Sequence, residues 1–127
     1  MNIRDIDHIT LTVKDIERSV RWYHEVFDLP IIEFDDGRRG VKVGTQKINF
    51  QAAATSHLPV AKHPTIGGAD FAFIATDPLA NILSHLTNYA VEIVDGPLPK
   101  TGAQGPMTSV YVRDPDENLI EIGKYDN

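Results

Sequence analysis

The chain has 127 residues, 42% of them hydrophobic and 24% charged, which is ordinary for a globular protein with its own core. It contains no cysteine, which excludes a disulfide framework, a zinc–thiolate site and thiol chemistry, and which fits a reducing compartment. The net charge of −6 argues against nucleic-acid binding, and we find neither a signal peptide nor an apolar run of ~20 residues. We therefore expect a cytoplasmic protein that binds neither nucleic acid nor membranes.

The first predicted elements are a strand and a helix. Residues 6–13 alternate in polarity, with Ile9, Leu11 and Val13 on one face and His8, Thr10 and Thr12 on the other. This period of two predicts a half-buried strand. Asp15 then stands where an N-cap is expected, and apolar residues recur at helical spacing over 16–27, which predicts an amphipathic helix.

Three short strands are predicted to complete the first half. They are Leu29–Phe34, Arg39–Val43 and Gln46–Ala52, separated by turn residues at 35–37 and at Gly44-Thr45. Residues 53–68 contain Pro and Gly and have no sustained period, so they are predicted to form a linker or loop.

The second half repeats this order. Residues 69–75 alternate like the first strand, and Asp70 follows His8 by 62 residues. Asp77 is the expected N-cap, with Pro78 at the first helical position. The later strands are predicted at Val91–Val94, Thr108–Val112 and Leu119–Lys124, the last two joined by the turn-rich loop 114–118. The segment Asp95–Pro106 is interpreted as a long loop, either a lid over a pocket or a plain surface loop.

The predicted fold is therefore α+β, with two βαβββ modules that form a cupped mixed sheet. Module one spans about 4–54, a linker about 55–67, and module two about 68–125. Because one helix covers only one face of its sheet, the alternate side chains should line a concave surface. Polar groups expected there are His8, Gln51, Asp70 and Glu121.

Two carboxylates on an apolar surface repel each other and lose hydration unless a cation joins them, and a divalent metal is the simplest one. Histidine, amide and carboxylate groups are all possible ligands. A structural reading stays open: His8 can be a hydrogen-bonded structural residue, and Asp70 and Glu121 can be solvated or paired with Arg113 or Lys100.

Several segments resemble the vicinal oxygen chelate superfamily, which includes glyoxalases, bleomycin-resistance proteins and dioxygenases. The opening DHITLTVKDIERSVRWYHEVFDLP resembles the strand and helix that begin with a metal-ligating His. The closing SVYVRDPDENLIEIGKY resembles the F-x-DP-D-x-N-x-I-E ending, in which the Glu is a ligand. QKINF and the TGAQGP loop resemble glyoxalase-domain proteins, so the resemblance covers nearly the whole chain.

The resemblance implies a ligand set of His8, Gln51, Asp70 and Glu121 for a divalent ion such as Mn, Ni, Zn, Fe or Mg. His8 and Glu121 match in motif context. Gln51 departs from the usual Glu or His, and Asp70 stands where His is normal. The set also lacks the two-His, one-carboxylate pattern of non-haem iron oxygenases, which counts against a dioxygenase.

The function implied is that of a metal-dependent glyoxalase-like lyase, resembling lactoylglutathione lyase, acting on a small oxygenated substrate (hydroxy-carbonyl or thiol-conjugated) through an enolate-type intermediate. Glu121 is then the catalytic base. The substrate-contacting residues expected are Thr10, Asn49, Lys100, Tyr111 and Arg113. The alternative is a non-catalytic binding or sequestration protein of bleomycin-resistance type. Because family members often complete the cup by pairing modules between chains, we also expect a homodimer.

Overall fold

Both halves of the chain have the predicted order β-α-β-β-β. The computed structural model describes residues 1–34, 37–55 and 57–126, so Asp35 and Asp36 of the predicted turn lie outside the described residues. The first half consists of β1 (His8–Val13), α1 (Ile16–Phe27), β2 (Ile31–Glu33), β3 (Arg39–Val43) and β4 (Gln46–Ala52). The second consists of β5 (Asp70–Ile74), α2 (Leu79–Asn88), β6 (Asp95–Gly102), β7 (Gly105–Arg113) and β8 (Leu119–Tyr125).

The chain divides into two units, Met1–Gly67 and Gly68–Asn127, each holding one module. Each module has one four-stranded sheet, with the orders β1-β4-β3-β2 and β5-β8-β7-β6. The first strand pairs in parallel with the last one, and the other pairs are antiparallel. The predicted α+β fold with two βαβββ modules is confirmed.

In module one, α1 packs on the apolar face of the sheet. The Asp15 carboxylate accepts a hydrogen bond from the Arg18 backbone N–H at 3.1 Å, which makes it the N-cap predicted from the sequence. Tyr23 is fully buried, and its ring centroid lies 5.3 Å from that of Phe50 in β4. The helix therefore covers the side of β4 that carries Ile48 and Phe50.

Module two builds its core in the same way. Val110, Val112 and Ile120 are fully buried on the strands, and α2 buries Ile82 and Leu86. In each sheet the alternate residues form the opposite surface, here called the polar face. Its members include His8, Thr10, Thr12, Lys47, Asn49 and Gln51 in module one, and Asp70, Ala72, Ser109, Tyr111, Arg113, Leu119, Glu121 and Gly123 in module two.

The predicted cap of α2 is wrong by one residue. Pro78 is the N-cap, with extended backbone (φ −57°, ψ 144°), and no side chain caps the helix. Asp77 lies one residue too early for its carboxylate to take the capping position.

The predicted strand Val91–Val94 is also wrong, because β6 begins only at Asp95. The interpretation of Asp95–Pro106 as a lid or surface loop is wrong as well, since most of it is β6. This strand lies at the edge of its sheet, where proline is tolerated because its missing N–H is not needed by a second neighbour. The strand opens with a bulge at Gly96 (φ 94°), where a Cβ would lie 2.5 Å from the Ser109 carbonyl oxygen.

Among the described residues of the predicted linker, 53–68, there is no helix or strand. None of the helices in the described part of the chain is both long and apolar enough to cross a membrane.

Candidate functional site

A polar cluster surrounds Glu121 on the polar face of module two. Ser109 is fully buried, and its hydroxyl donates a hydrogen bond of 2.7 Å to Glu121 Oε2. Tyr111 is directly opposite Glu121 in the β7–β8 register, and Ala72 faces Glu121 from β5. The cluster therefore holds a half-buried carboxylate in one orientation.

Gly123 makes room for this contact. A Cβ at residue 123 would lie 2.7 Å from Met107 Sδ and 3.2 Å from Ser109 Oγ. Any larger residue would push the Ser109 hydroxyl, which lies opposite residue 123 in the register, away from its place beside Glu121. The sequence thus combines a small residue on β8 with a short hydroxyl on β7.

Tyr111 is coupled electrostatically to the same cluster. Burial raises the pKa of the Tyr111 phenol, and a hydrogen bond with Glu121 and the negative charge of that residue raise it further. Lys100 acts in the opposite direction, and its Nζ lies 5.6 Å from the centroid of the Tyr111 ring. Tyr111 therefore stays a neutral hydrogen-bonding phenol across the physiological pH range.

On module one, His8 is oriented by its neighbour in sequence. Its Nδ1 lies 2.8 Å from Asp7 Oδ2, and this hydrogen bond lowers the pKa of the Asp7 carboxyl. Desolvation opposes this effect, and the charges of His8, Lys47 and Lys42 lower the pKa further. When Nδ1 donates to a carboxylate, the neutral ring presents the lone pair of Nε2 to other ligands. This is the arrangement that a metal-binding or proton-accepting histidine needs.

The structure does not bring Gln51 next to His8. His8 is opposite Lys47 in the parallel β1–β4 register, whereas Gln51 is opposite Thr12. The separation along the strand is roughly 13 Å at about 3.3 Å per residue. Gln51 Nε2 instead donates a hydrogen bond of 3.0 Å to Thr12 Oγ1, which leaves its carbonyl oxygen as the remaining polar atom.

Asn49 occupies the centre of the module-one polar face. It is opposite Thr10 on β1 and Gly40 on β3, and only 7% of its surface is exposed. Its Oδ1 atom is buried and has no hydrogen-bond partner among the described residues. A buried acceptor without a partner is unusual enough in native proteins to need an explanation.

The remaining predicted residues lie at the margins. Thr10 and Asp70 are exposed, and Asp70 is opposite Leu119, two residues before Glu121 in the β5–β8 register. Arg113 is exposed, and its Nη1 donates a hydrogen bond of 3.2 Å to the Glu117 carbonyl, so it braces the hairpin loop.

The loop 114–118, which lies within the closing motif, has an architectural role. Asp114 Oδ1 accepts hydrogen bonds from the backbone N–H groups of Asp116 (2.8 Å) and Asn118 (3.0 Å). The Asn118 amide donates to Asp114 Oδ2 at 2.8 Å and accepts from the Ala69 N–H at 2.8 Å. The loop therefore ties the start of β8 to the residue before Asp70.

The sequence analysis did not identify Ser109 as a partner of Glu121. The signal was present, since a small hydroxyl residue stands two positions before Tyr111 on the same face. Asp7 was missed as well, although an acidic residue directly before the candidate ligand His8 is visible in the sequence. In residues 1–34, 37–55 and 57–126, no three His, Asp or Glu side chains form a group that could hold a metal ion.

A chain of two βαβββ modules, each with a four-stranded mixed sheet, has the glyoxalase-like fold. A model of the Glyoxalase/Bleomycin resistance protein/Dioxygenase superfamily matches residues 5–122, and the chain belongs to this superfamily. The resemblance drawn from the opening and closing motifs is thus confirmed.

Among the relatives is virulence protein STM3117 of Salmonella typhimurium, which is 42% identical over 125 residues, or 98% of this chain and 87% of the relative. Its crystal structure matches with a TM-score of 0.96 at 41% identity, covering 99% of this chain and 100% of that one.

Two more distant structures show the fold alone. One is lactoylglutathione lyase from Agrobacterium tumefaciens (TM-score 0.74, 22% identity, 98% of this chain and 96% of that one). The other is the fosfomycin resistance protein FosX from Listeria monocytogenes, complexed with Mn(II) and a dihydroxypropylphosphonic acid (TM-score 0.65, 19% identity, 96% of this chain and 90% of that one).

Proposed function

We propose that this protein is a metal-dependent glyoxalase-like enzyme that acts on a small oxygenated substrate. The observation that carries the proposal is the Ser109–Glu121 contact. The fully buried Ser109 hydroxyl holds this half-buried carboxylate at 2.7 Å. A side chain fixed in this way has the defined orientation that a metal ligand or a general base requires. Glu121 is also the residue that matches the ligand of the superfamily's closing motif.

The proposed ligands are of the chemical types that divalent cations accept, namely imidazole, amide oxygen and carboxylate. His8 has its Nδ1 engaged by Asp7, which leaves Nε2 to bind, and Glu121 supplies a carboxylate. Gln51 and Asp70 are the other two residues of the proposed set. Gln51 offers a carbonyl oxygen because its amide nitrogen is bonded to Thr12, but it lies opposite Thr12 and not His8, which makes it the weakest member of the set. When bound, such an ion supplies Lewis-acid stabilisation of charge on a substrate oxygen. The Mn(II) complex of FosX supports the idea that this fold accommodates a divalent ion.

The roles of the chain's own residues follow from their contacts. Glu121 is the proposed base that takes a proton from a carbon beside a carbonyl, and Ser109 holds its carboxylate in orientation. Tyr111, kept neutral by its raised pKa, is suited to donate a hydrogen bond to the substrate. Lys100 lies near its ring and offers a positive charge to an anionic substrate group. Thr10, Asn49 and Arg113 are proposed as further substrate contacts.

A specific observation favours a second candidate, a non-catalytic binding or sequestration protein. The described residues contain no group of three His, Asp or Glu side chains that could hold a metal, so a metal must depend partly on weaker neutral donors. In that case the polar faces serve to bind a small molecule without turning it over.

Metal content and calorimetric titration with Mn²⁺, Ni²⁺ and Zn²⁺ distinguish the two candidates. The enzyme proposal requires uptake close to one equivalent per site, lost in Glu121→Ala because a charged ligand and the base are removed together. Gln51→Ala should weaken metal binding modestly, since water can replace a neutral donor. Asp70→Ala should weaken it more than Gln51→Ala does and less than Glu121→Ala does. Glu92→Ala, at an exposed position outside the sheets, is the matched control.

If the parent takes up less than a tenth of an equivalent, or if Glu121→Ala binds as tightly as the parent, the metal-dependent enzyme is refuted. The binding-protein candidate then takes its place.

A further inference from the structure

The outer face of α1 carries an ordered set of charges around the only tryptophan of the chain. Arg18 and Arg21 come first, Trp22 follows, and Glu25 and Asp28 come last. Their spacing of three, four and seven residues places them on one side of the helix, away from the side that is buried against the sheet. The charged residues are exposed and Trp22 is half-buried. These five residues are here called the α1 stripe.

The order of charge along the stripe is the reverse of the one that an isolated helix prefers. The N-terminal turn of a helix favours acidic side chains and the C-terminal turn favours basic ones. Arg18 nevertheless lies in the first turn and Glu25 in the last. Glu17 and His24 in those turns have the favourable signs, but both are bonded elsewhere. The electrostatics of the helix itself therefore does not explain the stripe.

The central charges of the stripe have no partner within the described part of the chain. Neither the Arg21 guanidinium nor the Glu25 carboxylate makes a hydrogen bond or an ion pair there. Glu17, one turn before Arg21, is occupied because both of its carboxylate oxygens accept from Arg39, at 3.0 and 3.1 Å. An open groove of about 370 Å³ follows the stripe, lined by Asp15, Glu17, Arg18, Arg21, Trp22 and Glu25.

A second copy of the stripe is its electrostatic complement. Arg21 and Glu25 lie two residues on either side of position 23, and Arg18 and Asp28 lie five residues on either side. If two such helices pack antiparallel about a twofold axis at that position, each basic residue meets an acidic one of the other copy. The same surface then serves both copies, as in any twofold contact. A stripe that is basic in one half and acidic in the other suits its own copy better than a partner of one charge sign.

We propose that the α1 stripe is a contact between two copies of this chain, with the helices antiparallel and an Arg21–Glu25 pair on each side of the twofold axis. The inference does not depend on the proposed function. It is also separate from the pairing of modules around a cup, because α1 covers the face of its sheet opposite the polar face. A helix of 12 residues is only about 18 Å long, so the contact is small, and the association is weak and sensitive to salt.

The test follows the mass of the full chain by sedimentation from roughly 10 µM to roughly 500 µM, together with the fluorescence of Trp22. The parent should double in mass over this range, and its emission should shift to the blue because the indole leaves water. Arg21→Glu and Glu25→Arg should each weaken association by about 10-fold or more, because like charges then meet on both sides of the axis.

Lys62→Glu and Glu92→Arg are the matched controls, since they make the same changes of charge at exposed positions away from α1. Both should associate as the parent does.

Recombining the two α1 variants keeps the test independent of any loss of folding. The Arg21→Glu chain has acidic residues at both central positions, and the Glu25→Arg chain has basic residues at both. An equimolar mixture should therefore associate again, within about 3-fold of the parent, although neither variant pairs with itself. The double variant, in which the two charges are exchanged, should regain association in the same way.

The proposal is overturned if the parent keeps one mass and a constant emission up to the highest concentration, or if the single variants associate as the parent does. It is equally overturned if neither the mixture nor the double variant regains association, or if the parent associates without a shift in the emission of Trp22. The proposed function is judged separately, by metal titration, which none of these substitutions should alter.

Discussion

Replacing Asn118 with Ala tests whether the closing loop is the brace that its hydrogen bonds indicate. Asn118 is 1% exposed, donates to the buried Asp114 carboxylate at 2.8 Å and accepts from the Ala69 N–H at 2.8 Å. The truncation removes a hydrogen bond to a charged group, which contributes about 1.5–3 kcal/mol to stability. It also leaves the Ala69 N–H without its partner, which costs about 1–3 kcal/mol. The free energy of unfolding should fall by about 3–5 kcal/mol.

Urea unfolding followed by circular dichroism measures this loss, with the slope of the transition checked for a change in two-state behaviour. Asn81→Ala, at an exposed position in α2, is the matched control and should be neutral or slightly stabilising because Ala has the higher helix propensity. A loss below about 1 kcal/mol in Asn118→Ala would show that the loop does not hold β5 to β8.

Three further predictions concern the Glu121 cluster and the assembly. Glu121→Gln should lower the pKa of Tyr111 and Lys100→Met should raise it, as measured by the ultraviolet absorbance of the phenolate with Tyr111→Phe as the reference. Because the pKa of Tyr111 is higher in the folded chain than in the unfolded one, the unfolded chain loses the phenol proton first as the pH rises. The free energy of unfolding of the parent should therefore fall more steeply than that of Tyr111→Phe above about pH 10, and equal slopes would contradict this. Ser109→Ala should lower the free energy of unfolding by about 1.5–3 kcal/mol in urea, and an unchanged midpoint would mean that the contact with Glu121 contributes nothing. Sedimentation should show a homodimer at micromolar concentration, and a single species of monomer mass would refute that expectation.

Alternation and capping were sufficient to predict most of the fold. The helix Ile16–Phe27 and the strands Arg39–Val43 and Gln46–Ala52 have the predicted bounds, because their periodicity is clear and turn residues flank them. The edge strand Asp95–Gly102 was not predictable in this way. Its Gly and Pro content is typical of a loop, and only the neighbouring strand gives it an extended conformation.

The sequence predicts which face of a strand each candidate residue occupies, but it does not predict which residues of neighbouring strands lie opposite each other. Alternation assigns His8, Asn49 and Gln51 to one face, yet it does not say which residue of β4 is opposite His8. That offset is fixed by pairing between strands far apart in sequence. It decides that Gln51 contacts Thr12 and does not lie beside His8.

The prolines of β6 have a consequence for the behaviour of the chain in concentrated solution. Pro97 and Pro99 lie in the edge strand of the module-two sheet, and neither has a backbone N–H to offer. A strand from another molecule that approached this edge would find gaps in the row of donors that it needs for pairing. The residues that made the strand hard to recognise in the sequence therefore also make this edge of the sheet a poor template for strand addition.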